Sequence, residues 1–596
     1  MNTYIINHPQ LGPIEGVPID SDLVQFRGIP YASIAQRFAR SKLSTNRLSP
    51  QDHAVPFDAT TVGPASIQIP NSAKSDASGN QLPQDGLEDE PQSEDCLNLT
   101  ITLPRSALSS PPDSAKVPVL VFLHGGAFFI GAGTRTYYTP YSFLRTALHD
   151  LRTPLILISA NYRLGALGFF HSPSAKTSDG TPLVPPNNGL HDQIRALEWI
   201  QRFVGGFGGD AGNVTLLGQS AGGESTSLHC ASGLGKGLYR KAIMFSGTSV
   251  TMPAKTPEEH EQNFREQAEK LGIEVSDSQA RTSGMTTAEP STGTIRAESE
   301  RVAREMINVP VDKIRDLAWV GAPCTSSEAL PDEKASMRVN REGTGAAREQ
   351  VGEWLESQIV SSCGYDGSIS YIMTSNDEKR REHAKAIRTI AVDVMGQENA
   401  EELMGIYGIK KEGEESDAEA LKKVCQFESD IGFFAASLSV AVGSSRKETG
   451  TKTYFQIFDV GNPFEGMLKK GKYASHTWDI VALLGAYDEK VKKIEEESED
   501  PHYKPYATIV EWRKRLIAYI VSGRAPWTVY QSREQGSGVA MVVKNDGLRE
   551  ESEDEYLEAD SSRRKRLLAL AERQEGPDGW DVLWTDVGRR FLMAGK

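Results

Sequence analysis

Cysteine is scarce in this chain: the five residues Cys96, Cys230, Cys324, Cys363 and Cys425 are scattered among 596, and none forms a CxxC pair. Such spacing predicts neither a structural zinc site nor a disulfide framework. Long apolar runs are also missing, because no stretch approaches the roughly 18 residues of a membrane helix. Residues 1–16 lack a basic segment followed by an apolar one, so we expect no signal peptide. These absences predict a cytoplasmic protein without a membrane partner.

Positive charge is in deficit. The chain has 65 Lys and Arg residues and 80 Asp and Glu residues, which gives a formal net charge of −15. A nucleic-acid-binding surface needs a basic patch, and an anionic membrane surface also attracts basic segments. The composition therefore argues against both kinds of partner. With 38% hydrophobic residues, the chain can still bury a sizeable core.

Short apolar runs bounded by Gly and Pro predict buried strands of a mostly parallel sheet. A helical pattern lies between two of them, and alternating strands and helices are typical of an α/β architecture. We predict strands at 117–123, 155–160, 214–217, 241–246 and 453–460, and helices at 190–204, 505–522 and 563–572. The charged stretch at about 254–445 is predicted to be a large, mainly helical insertion in one domain over residues 1–596.

Residues 214–223, VTLLGQSAGG, place a Gly-x-Ser-x-Gly motif directly after an apolar strand. This context predicts a nucleophile elbow, a turn so sharp that a side chain at Gly218 or Gly222 would collide with backbone. The small residues leave the hydroxyl of Ser220 exposed. The helix expected next would direct its N-terminal N–H groups at the same point. Ser220 is therefore the candidate nucleophile.

A second glycine turn follows another predicted strand, in residues 123–129, LHGGAFF. Acyl transfer needs N–H donors directed at the developing oxyanion, and no side chain shields those of Gly125 and Gly126. Ala221, directly after Ser220, can supply a third N–H. Gly125, Gly126 and Ala221 are the candidate oxyanion hole. For His124, holding this loop is favoured over a catalytic role.

With these residues in place, the chain resembles the type-B carboxylesterases, the cholinesterase-like branch of the α/β hydrolases. The likeness covers nearly the whole chain. It rests on FGGDAGNVTLLGQSAGG (207–223), which resembles the extended serine signature, on SEDCLNLTITLP (93–104), on FRGIPYA (26–32) and on NNGLHDQIRALEWI (187–200). The resemblance implies an α/β-hydrolase fold, a Ser–acid–His triad, a three-donor oxyanion hole and no cofactor or metal. It also implies a structural salt bridge between Arg37 and Glu94.

In this fold the base follows the acid in chain order. YASHTWDIVALLG (473–485) resembles the family's histidine loop, so His476 is the expected base. His260, His383 and His502 lie in charged stretches and are expected at the surface. SSCGYDGSISY (361–371) resembles the acid block and places Asp366 in the acid's role, after a predicted helix VGEWLESQIV. Asp332, Glu333 and Asp479 remain competing acids.

Two departures from the cholinesterases concern the substrate and the compartment. No cysteine precedes Cys96, so the disulfide that usually ends at this position cannot form. Gln219 stands where cholinesterases carry Glu, which removes a carboxylate that would favour a cationic choline group. A fungal-type carboxylesterase is the nearer likeness.

The sequence favours a serine carboxylic-ester hydrolase that acts on a small-molecule ester. An acyltransferase or lactone-forming enzyme would use the same triad, because water and alcohol compete for one acyl-enzyme. A non-catalytic interaction protein on the esterase fold is the third possibility. The helical insertion and the loop 246–253 are expected to shape the substrate pockets.

Overall fold

Apolar strands of two to eleven residues build the centre of the molecule. A computed structural model describes residues 3–48, 55–109, 116–252, 254–275, 292–317, 322–330, 338–343, 354–375, 381–445 and 450–594. The strands are β1 Tyr4–His8, β2 Gly12–Pro18, β3 Leu23–Pro30, β4 Ala32–Ser33, β5 Lys42–Leu43, β6 Phe57–Asp58, β7 Asn98–Pro104, β8 Val117–Leu123, β9 Ile156–Ala160, β10 Gly209–Gln219, β11 Lys241–Phe245, β12 Ser357–Cys363, β13 Lys452–Asp459, β14 Ala540–Lys544 and β15 Gly547–Glu551.

Thirteen of these strands form one sheet in the order β1-β2-β3-β7-β9-β8-β10-β11-β12-β13-β14-β15, with β6 beside β2. The seven strands from β9 to β14 in this order run parallel to one another. Antiparallel strands flank them on both sides. Every residue of β9, β11 and β12 is buried, as expected of parallel strands covered on both faces. The predicted mostly parallel α/β sheet is confirmed.

Helices cover both faces of the sheet. The α-helices are Ser72–Gly79, Arg105–Ser109, Tyr141–Arg145, Gly165–Phe169, Asn188–Phe203, Ala221–Ser232, Pro257–Lys270, Thr292–Asn308, Val311–Arg315, Ser368–Ser375, His383–Tyr407, Asp417–Glu428, Ala435–Ser445, Trp478–Leu484, Asp488–Glu496, Pro505–Ser522, Glu553–Glu575, Gly579–Asp581 and Arg590–Met593. Shorter 3₁₀ and π turns are Thr136–Tyr138, Thr146–Asp150, Val204–Phe207, Ser429–Phe434, Gly576–Asp578 and Val582–Arg589. The helix predicted at 505–522 is confirmed at both of its ends.

One predicted helix is wrong. VGEWLESQIV was expected to be helical, whereas its last four residues begin β12, a central strand of the sheet. The strand pairs with β11 and β13 on its two sides, and these contacts override the helical spacing of a short apolar segment. The stretch 254–445 therefore combines helices with one strand of the main sheet. Residues 276–291 and the candidate acids Asp332 and Glu333 lie outside the described residues.

Several polar predictions can be compared with the structure. Arg37 Nη2 lies 2.6 Å from Glu94 Oε1, so the expected salt bridge is present. All five cysteines are buried free thiols. The expectation that His260 and His383 lie at the surface is wrong, because both are buried. Among the residues described, no helix has both the length and the apolar character that a membrane crossing requires.

Candidate active site

Ser220 occupies a strained turn between β10 and the helix Ala221–Ser232. Its φ of 56° and ψ of −126° lie outside the usual regions for a residue with a side chain. A Cβ on Gly218 would lie 1.9 Å from the carbonyl oxygen of Gly222, and a Cβ on Gly222 would lie 2.0 Å from that of Leu123. Only glycine fits at either position. The sharp strand-to-helix turn predicted from the sequence is therefore present, with Ser220 half-buried at its tip.

The loop after β11, residues 246–252, packs against this turn. A Cβ on Gly247 would lie 2.0 Å from the carbonyl oxygen of Ser220. The backbone N–H of Ser220 donates to the carbonyl of Phe245, the last residue of β11, at 2.8 Å. The elbow is thus held on one side by its neighbouring strand and by the loop that the sequence analysis linked to substrate binding.

His476 and Asp366 meet at the carboxyl ends of β13 and β12. The Nδ1 atom of His476 donates to Oδ1 of Asp366 at 2.7 Å, and both side chains are buried. Asp366 Oδ2 accepts the backbone N–H of Cys363 at 2.7 Å. The backbone N–H of Tyr365 donates to the carbonyl of Ala474 at 3.0 Å and ties the two loops together. The pair is fixed by its own hydrogen bond and by the backbone around it.

The other ring nitrogen of His476 faces the elbow. Gln219, which directly precedes Ser220, places its Nε2 atom 3.4 Å from His476 Nε2. The ring of Phe433 packs against the imidazole edge to face, with centroids 5.3 Å apart. The fold therefore joins Asp366 to His476, 110 positions later in the chain, and places the ring next to Gln219, the residue before Ser220.

The glycine loop after β8 lies against Ser220. A Cβ on Gly125 would lie 2.8 Å from Cβ of Ser220. Gly126 adopts a φ of +104°, and a Cβ there would lie 2.0 Å from the carbonyl oxygen of Ile130. In the described part of the chain, no acceptor takes up the backbone N–H of Gly125 or Gly126. Gly125 thus lies in contact distance of Ser220, and both N–H groups are without an acceptor among the described residues.

His124 supports this loop, as the sequence analysis favoured. Its Nδ1 atom donates to the carbonyl of Gly125 at 2.8 Å, and its ring stacks on Tyr162 at a centroid distance of 4.5 Å. Burial lowers the pKa of His124 to about 4, so the imidazole is neutral near pH 7. A neutral ring bonded to a backbone carbonyl holds the loop without adding charge beside the oxyanion position.

Asp479 does not bond the ring of His476. Its Oδ2 atom accepts the hydroxyl of Ser246 at 3.0 Å, and its Oδ1 atom accepts the backbone N–H of Ile480 at 2.8 Å. Burial, reinforced by the negative charge of Asp366, raises the pKa of Asp479 to about 6. Among the acids inside the described ranges, Asp366 is the one hydrogen-bonded to His476.

Sequence reasoning missed the residues that reach the site from distant segments. Phe433 lies in a π turn inside the helical region, and nothing in its local pattern identifies it as a neighbour of His476. Trp584 belongs to the C-terminal segment, yet its indole N–H donates to the carbonyl of Thr251 at 3.2 Å. The described residues hold no group of three or more His, Cys, Asp or Glu side chains arranged to bind a metal ion.

Comparisons with known proteins identify a family. The model of the carboxylesterase family matches residues 3–504. The para-nitrobenzyl esterase of Bacillus subtilis (strain 168) is 35% identical over 250 residues, which are 42% of this chain and 45% of that protein. The human bile salt-activated lipase is 28% identical over 450 residues, 72% of this chain and 52% of the relative. The chain thus matches about half the length of these curated relatives.

A solved structure extends the likeness to the whole fold. A thermophilic PNB esterase superposes with a TM-score of 0.65 at 22% identity and covers 95% of this chain and all of that one. At this identity the comparison supports the fold alone. It confirms the predicted α/β-hydrolase fold, in which the parallel sheet carries its functional loops at the carboxyl ends of the strands.

Proposed function

The chain belongs to the carboxylesterase family, and on that basis we propose that it hydrolyses carboxylic esters through an acyl-enzyme on Ser220. The observation that carries the proposal is the 2.7 Å hydrogen bond from His476 Nδ1 to Asp366, because it leaves the lone pair of His476 on Nε2, the ring nitrogen next to Gln219 at the elbow. The strained backbone of Ser220 supports the same assignment. The names of the relatives, which include esterases and a lipase, agree with it.

In the first half-reaction, Ser220 Oγ attacks the ester carbonyl carbon while His476 Nε2 takes the hydroxyl proton. Asp366 accepts the Nδ1–H bond, fixes the tautomer and stabilises the imidazolium that forms. The backbone N–H groups of Gly125, Gly126 and Ala221 stabilise the oxyanion. The tetrahedral intermediate collapses, and His476 returns the proton to the leaving alcohol.

In the second half-reaction, water attacks the acyl carbon by the same route and releases the carboxylic acid. The proposed substrate is a small-molecule ester. Gln219 in place of a carboxylate disfavours a cationic choline ester, because it removes one opposite charge near the leaving group. Phe433 beside His476 supports a substrate-shaping role for part of the region 254–445. The five buried free thiols support a reducing compartment such as the cytoplasm.

The test is covalent labelling together with turnover of p-nitrophenyl esters of increasing acyl length. A fluorophosphonate should label the unchanged chain on Ser220, and Ser220→Ala should keep its fold but lose turnover by ~10⁴-fold or more. Ser232→Ala, at the other end of the same helix, is the matched control and should be labelled and active. Labelling and hydrolysis that persist in Ser220→Ala would remove the proposal.

A further inference from the structure

The side chain of Gln68 is bonded to both backbone groups of Gly131, a residue of the loop that follows β8. Its amide nitrogen donates to the carbonyl of Gly131 at 3.0 Å, and its amide oxygen accepts the N–H of Gly131 at 2.7 Å. The same nitrogen donates to the carbonyl of Ser66 at 3.0 Å, and the same oxygen accepts Nη2 of Arg135 at 3.1 Å. All four hydrogen-bonding positions of the amide are used, so its orientation is fixed.

Gln68 and its cationic partner are both buried. Gln68 is 3% exposed and Arg135 is 2% exposed, and Nη1 of Arg135 lies 2.6 Å from Glu90 Oε2. The charge of Arg135 is therefore paired where it meets the amide. Moving Gly131 would leave buried polar groups without partners, which is strongly unfavourable. Gly131 is thus held at a fixed position by a side chain from a segment 63 residues earlier in the chain.

Gly131 in turn packs on the peptide bond between Gly125 and Gly126. A Cβ on Gly131 would lie 2.5 Å from the carbonyl oxygen of Gly125, so only a Cα hydrogen fits there. Nδ1 of His124 donates to the same oxygen at 2.8 Å. The described residues contain no cis peptide, and in a trans peptide the C=O and N–H point in opposite directions. The N–H of Gly126 is therefore directed away from Gly131 and His124.

The two glycines do not fix this orientation by themselves. Gly126 has a φ of +104°, and a half-turn of the peptide would bring φ into the negative region, which is ordinary for any residue. That turn would put a carbonyl oxygen in place of the N–H of Gly126, and a carbonyl oxygen would repel the oxyanion of the reaction. The contacts of Gly131 and His124 with the carbonyl of Gly125 oppose the turn.

We propose that Gln68 is a positioning residue for the oxyanion hole. By holding Gly131 against the carbonyl of Gly125, it keeps the N–H of Gly126 directed at the oxyanion before the substrate binds. This inference rests on the proposed ester hydrolysis through Ser220. Gln68 touches neither the substrate nor the triad, and it acts through the backbone of the loop.

The first test is Gln68→Met, which keeps the length of the side chain and removes all four hydrogen bonds of the amide. The kcat/KM for a p-nitrophenyl ester should fall by ~10- to 100-fold, while KM changes by less than ~3-fold. A trifluoromethyl ketone forms an adduct with Ser220 that carries an oxyanion, so its affinity should fall by the same factor as kcat/KM. The acid limb of the pH profile should not move, because Asp366 and His476 keep their hydrogen bond.

Gln81→Met is the matched control. Gln81 is also 3% exposed, and its amide also bonds a loop through both of its functions: Nε2 donates to the carbonyl of Phe464 at 2.6 Å, and Oε1 accepts the N–H of Leu468 at 3.0 Å. That loop follows β13 and is not part of the oxyanion loop. Gln81→Met should lose stability as Gln68→Met does, whereas its kcat/KM and its affinity for the ketone should stay within ~3-fold of the unchanged chain.

Gln68→Glu covers the case in which Gln68→Met does not fold. Glutamate keeps an acceptor for the N–H of Gly131 and places a carboxylate beside Arg135, but it has no amide donor for the carbonyl of Gly131. Its kcat/KM and its affinity for the ketone should both fall, by one common factor of ~3-fold or more.

Three outcomes overturn the inference. The folded Gln68 variants can keep kcat/KM within ~3-fold of the unchanged chain, kcat/KM can fall without an equal loss of affinity for the ketone, or Gln81→Met can lose as much ketone affinity as Gln68→Met. Each of these leaves ester hydrolysis standing. The absence of both turnover and fluorophosphonate labelling in the unchanged chain would instead remove the proposed function itself.

Discussion

At the scale of single residues, two buried carboxylates near His476 have different surroundings. Asp366 accepts the Nδ1–H of the ring and a backbone N–H, so both of its oxygens are engaged as acceptors. Asp479 accepts the hydroxyl of Ser246 and the N–H of Ile480, and it makes no hydrogen bond to the ring. The first geometry is that of a residue that orients a base, and the second is that of structural support for the loops around it.

This difference predicts unequal effects of two conservative changes. Asp366→Asn should stabilise the wrong imidazole tautomer and lower kcat by up to ~10⁴-fold. Asp479→Asn keeps a carbonyl oxygen for the N–H of Ile480, and its NH2 group can donate to the hydroxyl oxygen of Ser246 instead of accepting from it, so kcat should fall by roughly tenfold to a hundredfold. The measurement is steady-state kinetics at matched folded content. The reverse ranking would show that Asp366 is not the acid.

The raised pKa of Asp479 predicts how the stability of the fold varies with pH. Its pKa is raised from 3.8 to about 6 in the folded chain, so the folded state holds the proton to a higher pH than the unfolded state does. This residue therefore stabilises the fold less as pH rises from about 4 to about 6, with no further change above that window. Asp479→Asn removes the effect, so its stability relative to the unchanged chain should increase across this window.

Urea unfolding at pH 4, 5, 6 and 7 would measure that difference. Asp459, whose pKa burial also raises to about 6, supplies a comparison away from the hydrogen bonds of the triad. Asp459→Asn should show the same trend with pH. A stability difference for Asp479→Asn that is constant with pH, or that decreases as pH rises, would contradict the argument.

The site residues that could be predicted from the sequence are those that require particular residue types next to them in the chain. Ser220 needs small residues around it and a strand before it, so its chain context is informative, and the structure places it in the strained turn expected. Asp366 and His476 were predicted from blocks resembling the family's, and their hydrogen bond could not be derived from spacing. Phe433 was not predicted, and Ser246 was predicted only as part of the loop 246–253, because no local pattern marks a side chain whose role comes from contacts made across the fold.

At the scale of elements, the elbow depends on two glycines, and the chain offers a matched contrast. Gly218→Ala would place a Cβ 1.9 Å from the carbonyl oxygen of Gly222, which is backbone and cannot rotate away. We expect it to destabilise the fold by several kcal/mol, within the range of severe core overpacking. Esterase activity should be lost with the displaced turn.

Gly405→Ala should instead stabilise the fold. This glycine lies within the helix His383–Tyr407, and a Cβ there would meet no atom within 4 Å. Alanine in a helix interior is favoured over glycine by about 1 kcal/mol, so the midpoint of thermal unfolding should rise. Thermal unfolding of Gly218→Ala and Gly405→Ala tests this contrast. An equal decrease in the unfolding midpoint of both variants would show that the space for a Cβ does not determine their stability.

The elements predicted from sequence were those with strong local signals. Buried runs such as 117–123 appear as β8 over the same residues, and the helix at 505–522 was also found with its predicted bounds. β12 was taken for a helix because Trp354, Leu355 and the following apolar residues also fit a helical face. The hairpin of β14 and β15, with its two-residue turn at 545–546, was not predicted. Non-local pairing decided both strands: β12 pairs with β11 and β13, and β14 pairs with β13.

At the scale of the whole molecule, the C-terminal segment closes onto the site from outside the matched family region, which ends at residue 504. Trp584 is buried, and its indole N–H donates to the carbonyl of Thr251 in the loop that packs on Ser220. A Cβ on Gly432 would lie 2.5 Å from the Trp584 ring, and Gly432 precedes Phe433, the residue beside His476. One side chain thus contacts the loop that packs on Ser220 and the turn that packs on His476.

This arrangement predicts that Trp584 influences which acyl chains fit beside Ser220 and His476. Trp584→Phe loses the bond to Thr251 and part of the ring volume, so the free energy of unfolding should fall by about 1–2 kcal/mol. The space freed beside Gly432 and the loop should raise kcat/KM for long acyl chains relative to short ones by several-fold, as expected for about one added methylene-sized volume or more. The measurement is kcat/KM across a series of p-nitrophenyl esters.

Trp580→Phe is the matched control because it changes another buried tryptophan in the same C-terminal segment. The indole N–H of Trp580 has no acceptor among the described residues, and its ring borders a different cavity, next to Arg341 and Leu438. Its ester profile should therefore remain that of the unchanged chain. If Trp584→Phe and Trp580→Phe alter the acyl preference equally, or if neither alters it, the C-terminal segment stabilises the fold without shaping the site. If only Trp584→Phe alters it, part of the specificity of this chain comes from residues beyond the region it shares with the family model.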